Sequence, residues 1–225
     1  MKKIKSLMII TVFLYKPGIT LSQTLNWVNS SKDLKHILNI NLGVEHGVIF
    51  GAGYGYRLKS KLPIVLNATY SFPGGEKLFD DFKTKIGAQT RFYQTGNFHF
   101  SAKLYSVFRR YQSDFVRLIN FGTDLSATVG YYKPKWFVAG EAGFDKAIVT
   151  YFKHSDSYKA QYPLVKDGWY EPSTGGNFYY GLQTGYSSKR SDIYLKAGKI
   201  VEQDLHTNPL VPFSFQLGFN WKIPG

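Results

Sequence analysis

Cysteine is absent from the 225-residue chain, which excludes a disulfide framework, a thiolate metal site and a lipid-modified cysteine behind a leader. Long apolar runs are missing too: beyond residue 22 no stretch approaches the roughly 18 residues that a membrane-spanning helix needs. Histidine is sparse, and His36, His46, His99, His154 and His206 are too scattered to suggest a metal centre, so no metal and no cofactor is expected. Acid is scarce as well, with 15 Asp and Glu against 28 Lys and Arg, a formal charge of +13. Four of those cations, Lys2, Lys3, Lys5 and Lys16, lie in the first 22 residues, which leaves 28 − 4 = 24 basic residues and a balance of about +9. The excess is spread over turns and strands and not gathered into one run, so a nucleic-acid partner is not expected.

What is plentiful is aromatic residues, at 17%, and glycine, at 22 residues. Together they suggest β-strands whose two sides meet different environments. The N-terminus reads as a secretory signal: basic Met1 to Lys5, an apolar run Ser6 to Tyr15, a break at Lys16-Pro17-Gly18, and small residues before Gln23. Residues 1–22 are therefore expected to be a signal peptide and 23–36 a short periplasmic lead-in. A barrel domain would fill 37–225.

Side chains alternate between apolar and polar through that domain. From Phe213 to Lys222 every odd position is large and apolar, and every even one small or polar. The same register runs through Leu38 to Val44, Ile64 to Phe72, Phe82 to Phe92, Phe98 to Phe108, Phe121 to Tyr131, Trp136 to Phe144, Phe178 to Tyr186 and Ile193 to Val201, with a less regular strand at 48–57. Pairs such as Phe98 and Phe108 bracket aliphatic or small residues, the pattern of an apolar band between two aromatic girdles. The opposite rows are too polar for a packed sandwich core. Short turns near 59–61, 95–97, 133–135 and 187–191 alternate with longer connections near 73–81, 109–118, 150–176 and 203–212. The expected fold is all-β, an antiparallel up-and-down transmembrane β-barrel of ten strands, with eight as the fallback.

These features, with the closing strand Phe213-Ser214-Phe215-Gln216-Leu217-Gly218-Phe219-Asn220-Trp221, resemble the small outer-membrane β-barrel proteins of Gram-negative bacteria, especially those of the Bacteroidota. The resemblance implies a cell outer-membrane location, outer-membrane lipid and lipopolysaccharide as surroundings, and delivery by the barrel-assembly machinery, for which the last strand would be the recognition signal.

The inward rows carry charges of both signs. Glu45, Asp124, Glu141 and Glu202 share the lumen with Arg57, Lys83, Lys85, Arg91, Lys103 and Lys196. Ten strands enclose a narrow interior. These charges are thus expected to form a network that fills it, or, because cations outnumber acids, to line a narrow pore with a weak anion preference. Inward glycines either relieve crowding or leave water-filled space. Gly51-Ala52-Gly53-Tyr54-Gly55 repeats every second residue, so it is one face of a strand and not a phosphate loop. The long connection 150–176 holds Tyr158, Tyr162, Trp169 and Tyr170 and offers a second reading, an adhesin-like barrel that binds through this loop. A third reading is an outer-membrane protease resembling the omptins, with Asp80, Asp81, His154 and Asp156 above the barrel. The acid spacing and the His–Asp order both depart from that pattern. No enzyme activity is expected.

Overall fold

A computed structural model describes residues 22–29, 33–44, 47–74, 80–171, 176–205, 209 and 211–225. The expected signal peptide, apart from Ser22, and Glu45 fall outside them. Ten long strands run antiparallel in a ring: β1 (Leu34–Val44), β2 (Val48–Arg57), β3 (Ile64–Pro73), β4 (Phe82–Thr95), β5 (Phe98–Gln112), β6 (Val116–Tyr132), β7 (Trp136–His154), β9 (Gly176–Ser187), β10 (Ser191–Glu202) and β11 (Phe213–Pro224). The ring closes where β1 meets β11, Leu38 opposite Trp221 and Leu42 opposite Leu217. A three-residue strand β8 (Gly168–Tyr170) and one short helix α1 (Asp156–Gln161) belong to the connection between β7 and β9. Among the described residues no helix is long and apolar enough to cross a membrane, which says nothing of a barrel.

The alternation places apolar side chains outside and polar ones inside. On β11, Phe213, Phe215, Leu217, Phe219 and Trp221 are exposed, whereas Gln216, Asn220 and Lys222 are buried. This inverts a soluble core. Ile40, Ile86 and Leu182 are each more than 60% exposed, while Lys85, Gln89 and Asn220 are at most 1%. Such an exterior is stable only against an apolar medium.

Rings border the apolar band at both ends. At the long-loop end Phe50, Phe72, Tyr70, Phe82, Phe108, Phe121, Trp169 and Tyr151 form an unbroken chain across β2 to β8, with successive centroids 5.1 to 6.1 Å apart. At the other end Phe98 meets Tyr131 and Tyr131 meets Trp136.

Three expectations change. The strands β5 and β6 continue through most of 109–118, leaving only the tight turn Ser113 to Phe115, whose Ser113 hydroxyl accepts the Val116 N–H at 3.2 Å. A bulge between Arg91 and Tyr93 breaks the β4 register, so Phe92 and Tyr93 are both exposed. Finally, the segment after Ser22 is no lead-in outside the wall: Ser22 to Trp27 are buried within the barrel, against residues more than 100 positions away in sequence.

Candidate functional site

The site is the lumen, built from the inward rows of every long strand together with residues 22–29. At mid-height Glu141 on β7 joins two lysines. Lys103 Nζ on β5 donates to its Oε1 at 2.7 Å, and Lys196 Nζ on β10 lies 2.6 Å from Oε2. Ser126 donates to the same carboxylate at 3.3 Å. Both ammonium groups also reach the Ser22 hydroxyl, at 3.4 and 3.1 Å. Nearer the long loops Lys85 donates to Asp124 at 3.0 Å, and the Tyr179 hydroxyl donates to the other Asp124 oxygen at 2.7 Å. Above that pair Arg109 grips both Asp145 oxygens and donates to Asn120 Oδ1 at 2.7 Å. At the opposite end Lys222 donates to Asp192 at 2.7 Å.

Lys103, Glu141 and Lys196 form one cluster, and Lys85 and Asp124 a second. Arg57 and Lys83 are buried at opposite ends of the lumen, and Arg91 is half-buried near Arg57. Glu202 is half-buried at the end of β10, opposite Asn177. The pairs Arg109–Asp145 and Asp192–Lys222 were not anticipated: Arg109, Asp145 and Asp192 lie just past the ends expected for their strands, and Lys222 is the last residue of its own. Their parity was the available signal: Arg109 shares a row with Lys103, and Asp145 with Glu141.

The N-terminal segment fills the half of the lumen toward the short turns. Thr24 donates to Gln183 at 2.8 Å, Gln23 to Asn220 at 3.2 Å, and Asn220 to the Thr24 carbonyl at 2.6 Å. Asn26 donates to the Lys133 carbonyl at 2.9 Å and to Ser187 at 3.0 Å. Between these polar anchors Leu25 and Trp27 enter an apolar cluster with Ile37, Val65, Tyr132, Phe137, Ala139 and Tyr194.

Inward glycines relieve crowding. The Tyr194 ring lies where a Cβ on Gly218 would stand, Tyr179 covers Gly143, and Phe137 covers Gly185. Gly218→Val is therefore expected to expel Tyr194 and lower stability by about 1–3 kcal/mol in a denaturant titration. Gly47→Val, where the space is open, serves as the unchanged control.

Outside the lumen, the 150–176 connection folds onto itself. Tyr158 stacks between His154 and Tyr162, with centroids 5.4 and 4.9 Å away, and Phe115 lies 6.1 Å from it. Trp169 belongs to the outer girdle and not to a free loop surface. Tyr170 is exposed, its ring edge-on to Phe152. The residues of the protease reading have other partners: Asp80 faces Arg110 at 3.9 Å, Asp81 accepts the Gln112 N–H, and His154 meets Asp167. Among the described residues no group of three His, Asp or Glu could hold a metal.

The His154 backbone N–H and the Lys159 ammonium hold the Asp167 carboxyl well below the usual carboxylate range, and Asp167 in turn raises Lys159. A lowered carboxyl favours the folded loop in full above roughly pH 4 and loses that effect as pH falls below it. The raised lysine contributes below roughly pH 10 and fades as pH rises through its folded value. Asp167→Asn is expected to speed tryptic cleavage at Lys159 severalfold at neutral pH.

The barrel is similar to the solved structure of "KdgM porin in complex with disordered oligogalacturonate", at 10% identity over 83% of this chain and 99% of that one, with a TM-score of 0.42. Another similar structure is "OmpTdeltaL8 (loop L8 deletion mutant of OmpT), an outer membrane protein of Vibrio cholerae", at 9% identity over 84% of this chain and 97% of that one, with a TM-score of 0.24. No family model and no curated protein matches the chain. The barrel itself rests on its own closed strand pairing.

Proposed function

We propose that this chain is a non-enzymatic integral barrel of the Gram-negative outer membrane, with a narrow conduction path that its own N-terminal segment occludes. The observation that carries the reading is the pairing of an apolar, ring-bordered exterior with a charged interior occupied by residues 22–29. Inward cations exceed inward carboxylates even after Arg109, Asp145, Asp192 and Lys222 are added, so the path would favour anions over cations. A lead-in that enters the lumen from the short-turn end would act as a plug on the periplasmic side.

Fractionation and planar-bilayer recording test this. The full chain is expected to require detergent for extraction and to give few or no conductance steps. A chain beginning at residue 30 should fold and give frequent, anion-selective ones. Extraction into buffer without detergent would defeat the membrane reading, and equal conductance of the two chains would defeat the plug.

A further inference from the structure

We infer that the outward face of the β5–β6–β7 rim binds the phosphate of a membrane-lipid headgroup in the leaflet on the long-loop side, through Arg117 and Lys153. The inference rests on the membrane reading above. Arg117 lies directly opposite Lys153 in the β6–β7 pairing, and Gln112 opposite Arg117 on the other side. Arg117 is half-buried and Lys153 exposed, in register with the outward Ile119 and Tyr151 rather than with the lumen row of Leu118 and Asn120. Like charges facing each other across adjacent strands repel, and an anion between them turns that cost into attraction. Among the described residues neither cation has a carboxylate within ion-pair distance, and Arg117 Nε is buried with no hydrogen-bond partner.

Height decides what kind of anion. Phe121 and Tyr151 of the outer girdle lie four and two residues along the same strands, with Trp169 opposite Tyr151, and interfacial rings of this kind mark headgroup level. Two to four residues of strand span roughly 7–13 Å. The cations therefore stand where lipid phosphates lie, just past the rings. Beside them the hairpin tip leaves a shallow open groove lined by Gln112, Ser113, Asp114, Arg117, Lys153 and His154. Asp114 is the one acid among its lining residues. Arg110 on the same outward row already has Asp80 and Gln112 as partners, so it is a flanking group and not the anchor.

Native mass spectrometry of the full chain, released from micelles containing either dioleoyl phosphatidate or dioleoyl phosphatidylcholine, tests the site. Bound phosphatidate is expected, and Arg117→Gln with Lys153→Gln should lower its affinity by about 25-fold, a factor of about five for each cation removed. Arg117→Lys should retain most of it, and Lys59→Gln with Lys61→Gln at the short-turn end should change it little. Heat-modifiable migration checks that every variant is still a folded barrel. Equal retention of phosphatidylcholine, loss of phosphatidate to millimolar inorganic phosphate, or indifference to the double substitution would each overturn the assignment. Because migration and detergent dependence are read separately, those results would leave the membrane reading standing.

Discussion

Replacing Glu141 by Leu is expected to cost the barrel about 3–5 kcal/mol of stability, the usual effect of removing one partner from a buried ion pair. The magnitude follows from position. Glu141 and Lys103 side chains are 5% and 4% exposed, and Lys196 is 15%. With the carboxylate gone, two ammonium groups would share one region of the lumen without their common counter-charge. Lys103 is enclosed among the inward rows, and Lys196 is only partly open. The intact triad, by contrast, adds little net stability, because desolvating three charges offsets most of their attraction. The two effects separate in a second variant: Glu141→Leu combined with Lys103→Met and Lys196→Met should recover most of the loss. Denaturant unfolding in micelles, followed by tryptophan fluorescence, reads both. A single variant as stable as the parent would mean that water already solvates the lysines.

Much of this arrangement was legible in the residues, and the exceptions have physical causes. Period-two alternation needs only local sequence, so the outward row from Phe213 to Trp221 and the inward Lys85, Lys103, Asp124, Glu141 and Lys196 could be placed without a structure. Arg109 and Asp145 escaped because β5 and β7 rise well past the girdle that marked the expected strand ends, and Asp192 because β10 begins two residues before its first apolar position. A wall taller than the apolar band has no apolar outer row to mark it. Whether inward glycines held water or made room for rings depended on cross-strand register, as with Gly218 beneath Tyr194. The lumen segment was the least visible. Ser22-Gln23-Thr24-Leu25-Asn26 has the composition of a solvated linker, and its burial comes from partners such as Gln183 and Asn220, which sequence distance conceals. Leu25 and Trp27, two apolar residues in alternation within that polar stretch, were the only local hint.

Trp27→Ala is expected to free the N-terminal segment while leaving the barrel folded. Trp27 is 5% exposed and stands among Ile37, Val65, Tyr132 and Phe137, whose own positions are fixed by the strand ladders. Removing a buried tryptophan side chain costs about 3–5 kcal/mol. Here the cost falls on the segment alone, since the wall that surrounds it keeps every backbone hydrogen bond. At about 1.4 kcal/mol per tenfold, the released population rises roughly a hundred- to several-thousand-fold. A plug displaced once in ten thousand molecules would then be displaced in a large fraction of them. The polar anchors resist this less than their number suggests, because Thr24, Asn26 and Gln23 exchange their lumen partners for water on leaving and lose only about 1 kcal/mol each. Amide exchange of residues 23–29 should accelerate by the same factor while that of β6 stays slow, and bilayer recordings should show openings that the parent lacks. If exchange accelerates throughout the barrel instead, Trp27 is part of the fold's foundation and the segment is not separable from it.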